Sequence, residues 1–268
     1  GGSETLAINL ANEFAKRQLY QVTFVLFGPG AGNSAIKLHE AKIEYYIIKG
    51  PFSRFYILRL LRLIKYAIFL RKLKPDILMP YTTFPNIFTS LIWKYTGASL
   101  CIWNQRDEGI ELPWKWINYK AINNAHHYIA NSFGASNHLI ETLKIQRSKV
   151  NVIHNGVEHK VFVNKNDWRK IHLFDQNDIL IGMVANLSIY KDHETLLRSF
   201  SKILGMKKGV SIKLLLAGRF DQNYPSLTRL AKELNIEDIV FFMGSIDDVG
   251  SLLNAIDISV LSSRSEGF

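Results

Sequence analysis

Ile179-Leu180-Ile181-Gly182-Met183-Val184, followed by Ala185-Asn186-Leu187-Ser188-Ile189-Tyr190 and then Lys191-Asp192-His193-Glu194-Thr195-Leu196-Leu197, is the passage on which the fold turns. The first six residues form an unbroken apolar run, the pattern of a strand covered on both faces. From Asp192 to Leu204 the spacing becomes that of an amphipathic helix. A strand that passes through a short polar loop into a helix is the repeating piece of a parallel sheet. Ligands of such sheets bind beyond the carboxyl ends of the strands. Lys191 stands there, just ahead of a helix N-terminus whose free N–H groups attract phosphate. The plainer alternative is a surface lysine beside a helix cap.

The alternation continues toward the C-terminus with strand Ile212–Ala217, helix Ser226–Leu234, strand Ile239–Phe242, helix Val249–Ala255 and strand Ile258–Leu261. That last strand runs into a small, polar turn, Ser262 to Phe268, with the acid Glu266 at its tip. On the other side, Asn164–Asp178 has no apolar period beyond Ile171–Phe174 and reads as a connector. An earlier series precedes it. Leu6, Leu10 and Phe14 fall four apart, predicting a helix over residues 3–17, and strands are predicted at Val22–Phe27, Ile43–Ile48, Asp76–Pro80, Leu100–Trp103, Tyr128–Ala130 and Val150–Ile153. The expected fold is α/β, with two doubly wound, Rossmann-like domains. The first spans residues 1–163, the connector 164–178, and the second 179–268 is incomplete. The first strand of the first domain is expected before residue 1, so the chain reads as a piece of a longer protein.

Composition narrows the function. A formal charge of +10 and a pI near 9.5 favour an anionic partner. No nucleic-acid module motif is present. One cysteine, Cys101, excludes an internal disulfide framework and a cysteine zinc site, which suits a reducing cytoplasm. No uncharged apolar run is long enough to span a bilayer. Between Phe55 and Leu73 an apolar stretch is punctuated by cations such as Arg59, Arg62, Lys65 and Arg71. It reads either as a sheet-covering helix with a solvated basic face or as a helix that adsorbs to an anionic membrane surface.

Several candidate motifs are weaker than they look. Gly28-Pro29-Gly30-Ala31-Gly32 follows a strand, but its third glycine comes one position too early for a dinucleotide fingerprint, and a phosphate-loop lysine is missing. His126 and His127 are adjacent, so on a strand they face opposite sides and do not chelate one ion. No Asp-x-Asp pair is present to hold a divalent ion on a diphosphate; no metal and no cofactor are expected. Asn155-Gly156 alone reads as a tight turn.

The order of the motifs says more than any one of them. His154-Asn155-Gly156-Val157-Glu158 with Phe162, Val184 to Ser188 with Lys191, Asp192 and His193, Leu215-Leu216-Ala217-Gly218, Val240 to Gly244 with Asp247-Asp248, and Leu261 to Phe268 together resemble glycosyltransferase family 4. Gly1-Gly2-Ser3-Glu4 is similar to that family's amino-terminal glycine loop. The resemblance implies a GT-B architecture, two doubly wound domains facing a cleft. It also implies transfer of a sugar from a nucleoside diphosphate donor to a glycan or lipid-linked acceptor, with retention of configuration and no obligatory metal.

It further implies roles. Lys191 is a cation on the departing diphosphate, where fixed charge in a dry site is worth most. Asn186 stands where the family usually has arginine, so it brings a hydrogen bond without charge, and Arg219 or Arg264 are the candidates to compensate. Glu266 meets the donor sugar, Gly267 and Phe268 offer main-chain N–H groups, Ile246 touches the base through its main chain, and Gly218 belongs to the donor site. Gly1 and Gly2 form the acceptor or phosphate loop. In the first domain, Asp107 is the candidate to orient an acceptor hydroxyl and Arg106 to engage an anion; a surface Arg–Asp pair is the alternative. Two other functions fit a related sheet: a dinucleotide-dependent oxidoreductase, and a catalytically idle binding module of the same fold.

Overall fold

The structure is a computed structural model that describes residues 2–18, 20–28, 32–51, 53, 55–106, 115–156, 162–206 and 209–264. The chain divides into two compact units, one built on residues 1–156 and the other on residues 157–266.

The first unit opens with α1 (Gly2–Lys16), β1 (Thr23–Phe27), α2 (Gly32–Glu40) and β2 (Glu44–Ile48). Strands β1 and β2 pair in parallel, and Ile8, Ala11, Leu38 and Ile43 form the small core beneath them. Then come α3 (Tyr56–Leu73), β3 (Ile77–Leu78), α4 (Thr83–Ile92), a 3-10 turn (Trp93–Tyr95), β4 (Leu100–Gln105) and α5 (Lys115–Asn124). The unit closes with β5 (His127–Ala130), α6 (Phe133–Asn137), a π turn (His138–Thr142), a 3-10 turn (Arg147–Lys149) and β6 (Val150–Val152). The sheet order is β3-β4-β5-β6, all parallel, as strands alternating with helices require. Tyr66, Phe88, Trp103 and Tyr128 fill its main core. Cys101 is fully buried there and burial pushes its thiol up to about 11, so it is a packing residue rather than a nucleophile.

Strand β4 continues two residues past its expected end because Asn104 and Gln105 are buried polar residues with partners. Asn104 and Asn86 of α4 exchange hydrogen bonds: the Asn86 amide donates to the Asn104 carbonyl (2.7 Å) and the Asn104 N–H donates to Asn86 Oδ1 (3.2 Å). The histidine expectation also needs correction. His126 lies just before β5, and its ring approaches that of His127 to 4.7 Å instead of pointing away.

The second unit holds α7 (Lys165–Ile171), β7 (Ile179–Val184), a 3-10 turn (Ile189–Lys191), α8 (His193–Met206) and β8 (Ile212–Ala217). After these come α9 (Tyr224–Glu233), β9 (Val240–Gly244), α10 (Val249–Ala255) and β10 (Ile258–Ser259). Leu197 and Phe200 lie one helical turn apart on α8 and bury against Met183, Leu214 and Leu216 of the sheet. Pro225 starts α9, where a missing N–H costs nothing, and the Asp248 carboxylate caps α10 by accepting from the Ser251 N–H (3.1 Å). The strands are all parallel in the order β10-β7-β8-β9. The chain therefore reverses its direction of winding between β7 and β10, which is where open α/β sheets form their crevice.

The stretch expected as a connector is part of this unit. Helix α7 buries Trp168 and also Arg169, which is 1% exposed. The Arg169 guanidinium donates to the carbonyls of Ala255, Gln176 and Asp178 and to the Asp257 carboxylate (2.6 Å). Burial would raise the Asp257 carboxyl, but hydrogen bonds from Lys165, the Leu180 N–H and Arg169 outweigh it and hold it at about 2. Phe162 and Val163, expected in the first domain, likewise pack on α10. The Val163 N–H donates to Ser251 Oγ (2.8 Å), and the Phe162 ring lies where a side chain on Gly250 would be.

Candidate active site

In the second unit β7, β8 and β9 end level with one another. The Ala185 N–H donates to the Ala217 carbonyl (2.8 Å) and the Gly218 N–H to the Gly244 carbonyl (2.8 Å). The loops that leave β7 and β8 then run in contact. A Cβ on Gly218 would lie 2.0 Å from the Ala185 carbonyl oxygen, so only glycine fits. We expect Gly218→Ala to push these loops apart and destabilise the unit by roughly 1–3 kcal/mol, read as a lowered urea midpoint. An unchanged midpoint would mean that the loops give way freely.

Asn186 lies on this rim and is exposed. Its side-chain oxygen accepts the Arg219 N–H (3.2 Å). The loop then forms the 3-10 turn that ends in Lys191, whose N–H donates to the Ser188 carbonyl (3.1 Å). Asp192 adopts a left-handed conformation (φ 47°), and its carboxylate accepts from the Thr195 N–H (3.4 Å) at the start of α8.

Residues after β10 close on this turn across the winding reversal. Ser262 Oγ donates to the Lys191 and Asp192 carbonyls (both 3.0 Å), the Arg264 N–H to the Tyr190 carbonyl (3.0 Å), and Arg264 Nε to Asp192 Oδ2 (2.9 Å). The Arg264 guanidinium holds the Asp192 carboxyl below its usual range, and Asp192 raises Arg264 in return. Arg264 thus pairs with the Asp192 carboxylate, while Lys191 is tied into the turn through its main chain. His193 follows and is 2% exposed. Burial lowers its pKa, Asp192 and the Ala185 main chain oppose this, and the Lys191 charge adds to the lowering. The net effect disfavours the charged form of the ring.

Of Arg219 and Arg264, the structure brings the side chain of Arg264 to the Tyr190–Asp192 turn, whereas Arg219 reaches Asn186 through its main chain. Ile246 packs its side chain on the Trp168 and Leu252 core, which leaves the main chain of the β9 exit as the accessible part. Phe220 escaped the sequence reading. It stacks on Tyr224 (4.1 Å) and lies 3.6 Å from where a Gly244 side chain would be. A lone aromatic after an Ala-Gly-Arg loop carries no periodic signal.

In the first unit, Arg106 directly follows β4 and is half-buried. Its Nη1 donates to Asn155 Oδ1 (2.7 Å), its Nη2 to Asn104 Oδ1 (3.3 Å), and its guanidinium lies 4.9 Å over the Tyr81 ring. Burial lowers the Arg106 pKa and Tyr81 opposes the shift. Its Nε is buried without a hydrogen bond. Beside it, Thr82 has φ 68°, ψ 163°, a region nearly confined to glycine, so the turn after β3 is held under strain. Strain of this kind clusters at ligand sites. Asn155, which by itself reads as a turn residue, is here the partner that aims Arg106. Gly2 begins α1. Gly1, Asp107, Glu266, Gly267 and Phe268 lie outside the described residues. Among the described residues, no three His, Cys, Asp or Glu side chains converge as metal ligands would, and no helix is long and apolar enough to cross a membrane.

The chain is similar to known proteins along its length. Residues 1–161 match the model for Glycosyltransferase Family 4, and residues 164–268 match Glycosyl transferases group 1. An uncharacterised glycosyltransferase of Haemophilus influenzae is 26% identical over 275 aligned positions, covering 100% of this chain and 72% of that protein. The O-antigen biosynthesis glycosyltransferase WclY of Escherichia coli is 28% identical over 123 residues, 45% of this chain and 33% of its own. Among solved structures, Anabaena HepE in complex with UDP and glucose superposes with a TM-score of 0.79 at 18% identity, covering 98% of this chain and 71% of that one.

Proposed function

Because the chain belongs to glycosyltransferase family 4 and has the GT-B fold, we propose that it moves a hexose from a nucleoside diphosphate donor to a glycan or lipid-linked acceptor in surface polysaccharide or glycolipid synthesis. The observation that carries the proposal is the closure of Ser262 and Arg264 on the Tyr190–Asp192 turn, which holds Lys191 at the winding reversal of the sheet. Breaking an anomeric bond builds negative charge on the leaving diphosphate, and preorganised cations there lower the barrier with no metal required. Lys191 supplies one charge, Arg264 a second, and the Asn186 NH₂ a hydrogen bond. Gly218 lets the diphosphate approach the main chain, and the main chain at Ile246 meets the base. Glu266 and the N–H groups of Gly267 and Phe268 hold the sugar, and the reaction retains configuration.

On the acceptor side, Arg106 engages an anionic group, Asp107 orients the attacking hydroxyl, and Gly1 and Gly2 line the phosphate loop. The likeness to HepE, solved with UDP and glucose, and to WclY, an O-antigen enzyme, supports this choice of donor and pathway. The cytoplasm suits a chain whose single described cysteine is a buried free thiol.

A thermal-shift screen of nucleotide-sugars on the full-length protein is expected to find one that raises the melting temperature by mass action. Nucleoside diphosphate release in the presence of acceptor, undiminished by EDTA, is the accompanying expectation. Protection by a nicotinamide dinucleotide alone, or activity abolished by chelation, would overturn the reading.

A further inference from the structure

Helix α3 carries two apolar faces where one would serve. Tyr66, Ala67 and Leu70 are buried against the core of the first unit. On the other side Ile57, Leu61, Ile64 and Ile68, spaced by four, three and four residues, form a second stripe that is 71%, 50%, 48% and 52% exposed. Scattered exposed leucines are ordinary, but a continuous stripe on one helix is not.

The stripe borders a groove of about 530 Å³ between α3, α4, the 3-10 turn and α5. Leu60, Ile64 and Ile68 form one wall; Leu91, Tyr95 and Trp116 form much of the other. Tyr95 and Trp116 are 70% and 65% exposed, the placement that amphipathic rings take at a membrane–water boundary. Arg59, Arg71 and Lys120 also line the groove, so it is apolar within and cationic at its edge.

The charge pattern points to one occupant. Helix α3 has five cations and no acid, and α4, the 3-10 turn and α5 have no acid either. Asp76 is the only acid between Glu44 and Asp107, a span with ten lysines and arginines. A second copy of this chain would set this one-signed face against itself, which costs energy. A lipid surface with anionic headgroups meets both demands at once, taking the cations at the phosphate level and the apolar stripe among the acyl chains.

We propose that this face docks on an anionic bilayer, with α3 lying in the interface and one acyl chain seated in the groove. The long Arg and Lys side chains reach the headgroups while their stems cover apolar surface. This contact is a property of the first unit and does not depend on the donor chemistry of the second. Its test therefore reads binding and not turnover.

The full-length protein is mixed with vesicles of phosphatidylcholine alone or with phosphatidylglycerol added, at low and high salt. Binding to the anionic vesicles is expected to be roughly tenfold or more tighter and to weaken as salt rises. Ile64→Asp with Ile68→Asp, both at exposed positions, is expected to abolish binding without lowering the melting temperature. Lys65→Glu with Lys72→Glu tests the charge separately. Anionic vesicles with brominated acyl chains are expected to quench tryptophan emission, and Trp116→Phe to remove most of that quenching. Equal binding to neutral vesicles, absence of quenching, or a dimer in sedimentation velocity that Ile64→Asp dissociates would overturn the proposal.

Discussion

Arg169→Met is expected to destabilise the second unit by roughly 3–5 kcal/mol, the range for removing one partner of a buried charged network. The side chain is 1% exposed and donates to three carbonyls and one carboxylate. Methionine fills similar volume but leaves the Ala255, Gln176 and Asp178 carbonyls without their donor. Lys165→Ala is the internal control. Lys165 pairs with the same Asp257, but its side chain is 42% exposed, and such pairs are worth about 1 kcal/mol or less. Urea denaturation of both variants should separate the two by the shift in midpoint. Equal shifts would show that the guanidinium is not the anchor of this unit.

Lys191→Ala is expected to lower turnover of the full-length enzyme by at least about tenfold and by as much as about a thousandfold, as when a transition-state charge partner is lost. The loss should fall mainly on kcat, because charge on the diphosphate grows as the anomeric bond breaks. The melting temperature is expected to stay close to that of the parent, since Lys191 ends a surface turn whose main-chain bonds do not involve its ammonium. Lysine replaced by arginine keeps the charge and should recover part of the rate. A Lys191→Ala enzyme that releases nucleoside diphosphate at the parental rate would place the diphosphate elsewhere.

The alternation of strands and helices in the second unit was readable because strands buried on both faces are written as apolar runs, as in Ile179–Val184 and Ile212–Ala217. Helix α7 was not, because its best-buried residue is an arginine. What buries Arg169 is the Ala255 carbonyl, 86 positions away in sequence, and no local pattern announces that. The end of β4 is hidden for the same reason, since Asn104 and Gln105 have the composition of a loop until Asn86 pairs with the first and the Trp103 indole with the second.

At the site, Lys191 stood out through its place between a strand and a helix. The Arg264–Asp192 pair joins residues 72 apart, and the Arg106–Asn155 pair residues 49 apart, so both needed the fold. Periodicity showed that α3 is a helix but not which of its apolar sides the core would take.

The start of the second unit bears on any attempt to make that unit alone. Phe162 lies flush on Gly250, the Val163 N–H is tied to Ser251, the Val163 carbonyl to Asn254, and α7 carries the guanidinium that gathers Ala255 and Asp257. An excised piece that starts at its first strand, Ile179, would strip α10 of its cover and strand a carboxylate at the root of β10. The severing point that respects the packing lies ahead of Phe162, seventeen residues before the sheet begins at Ile179.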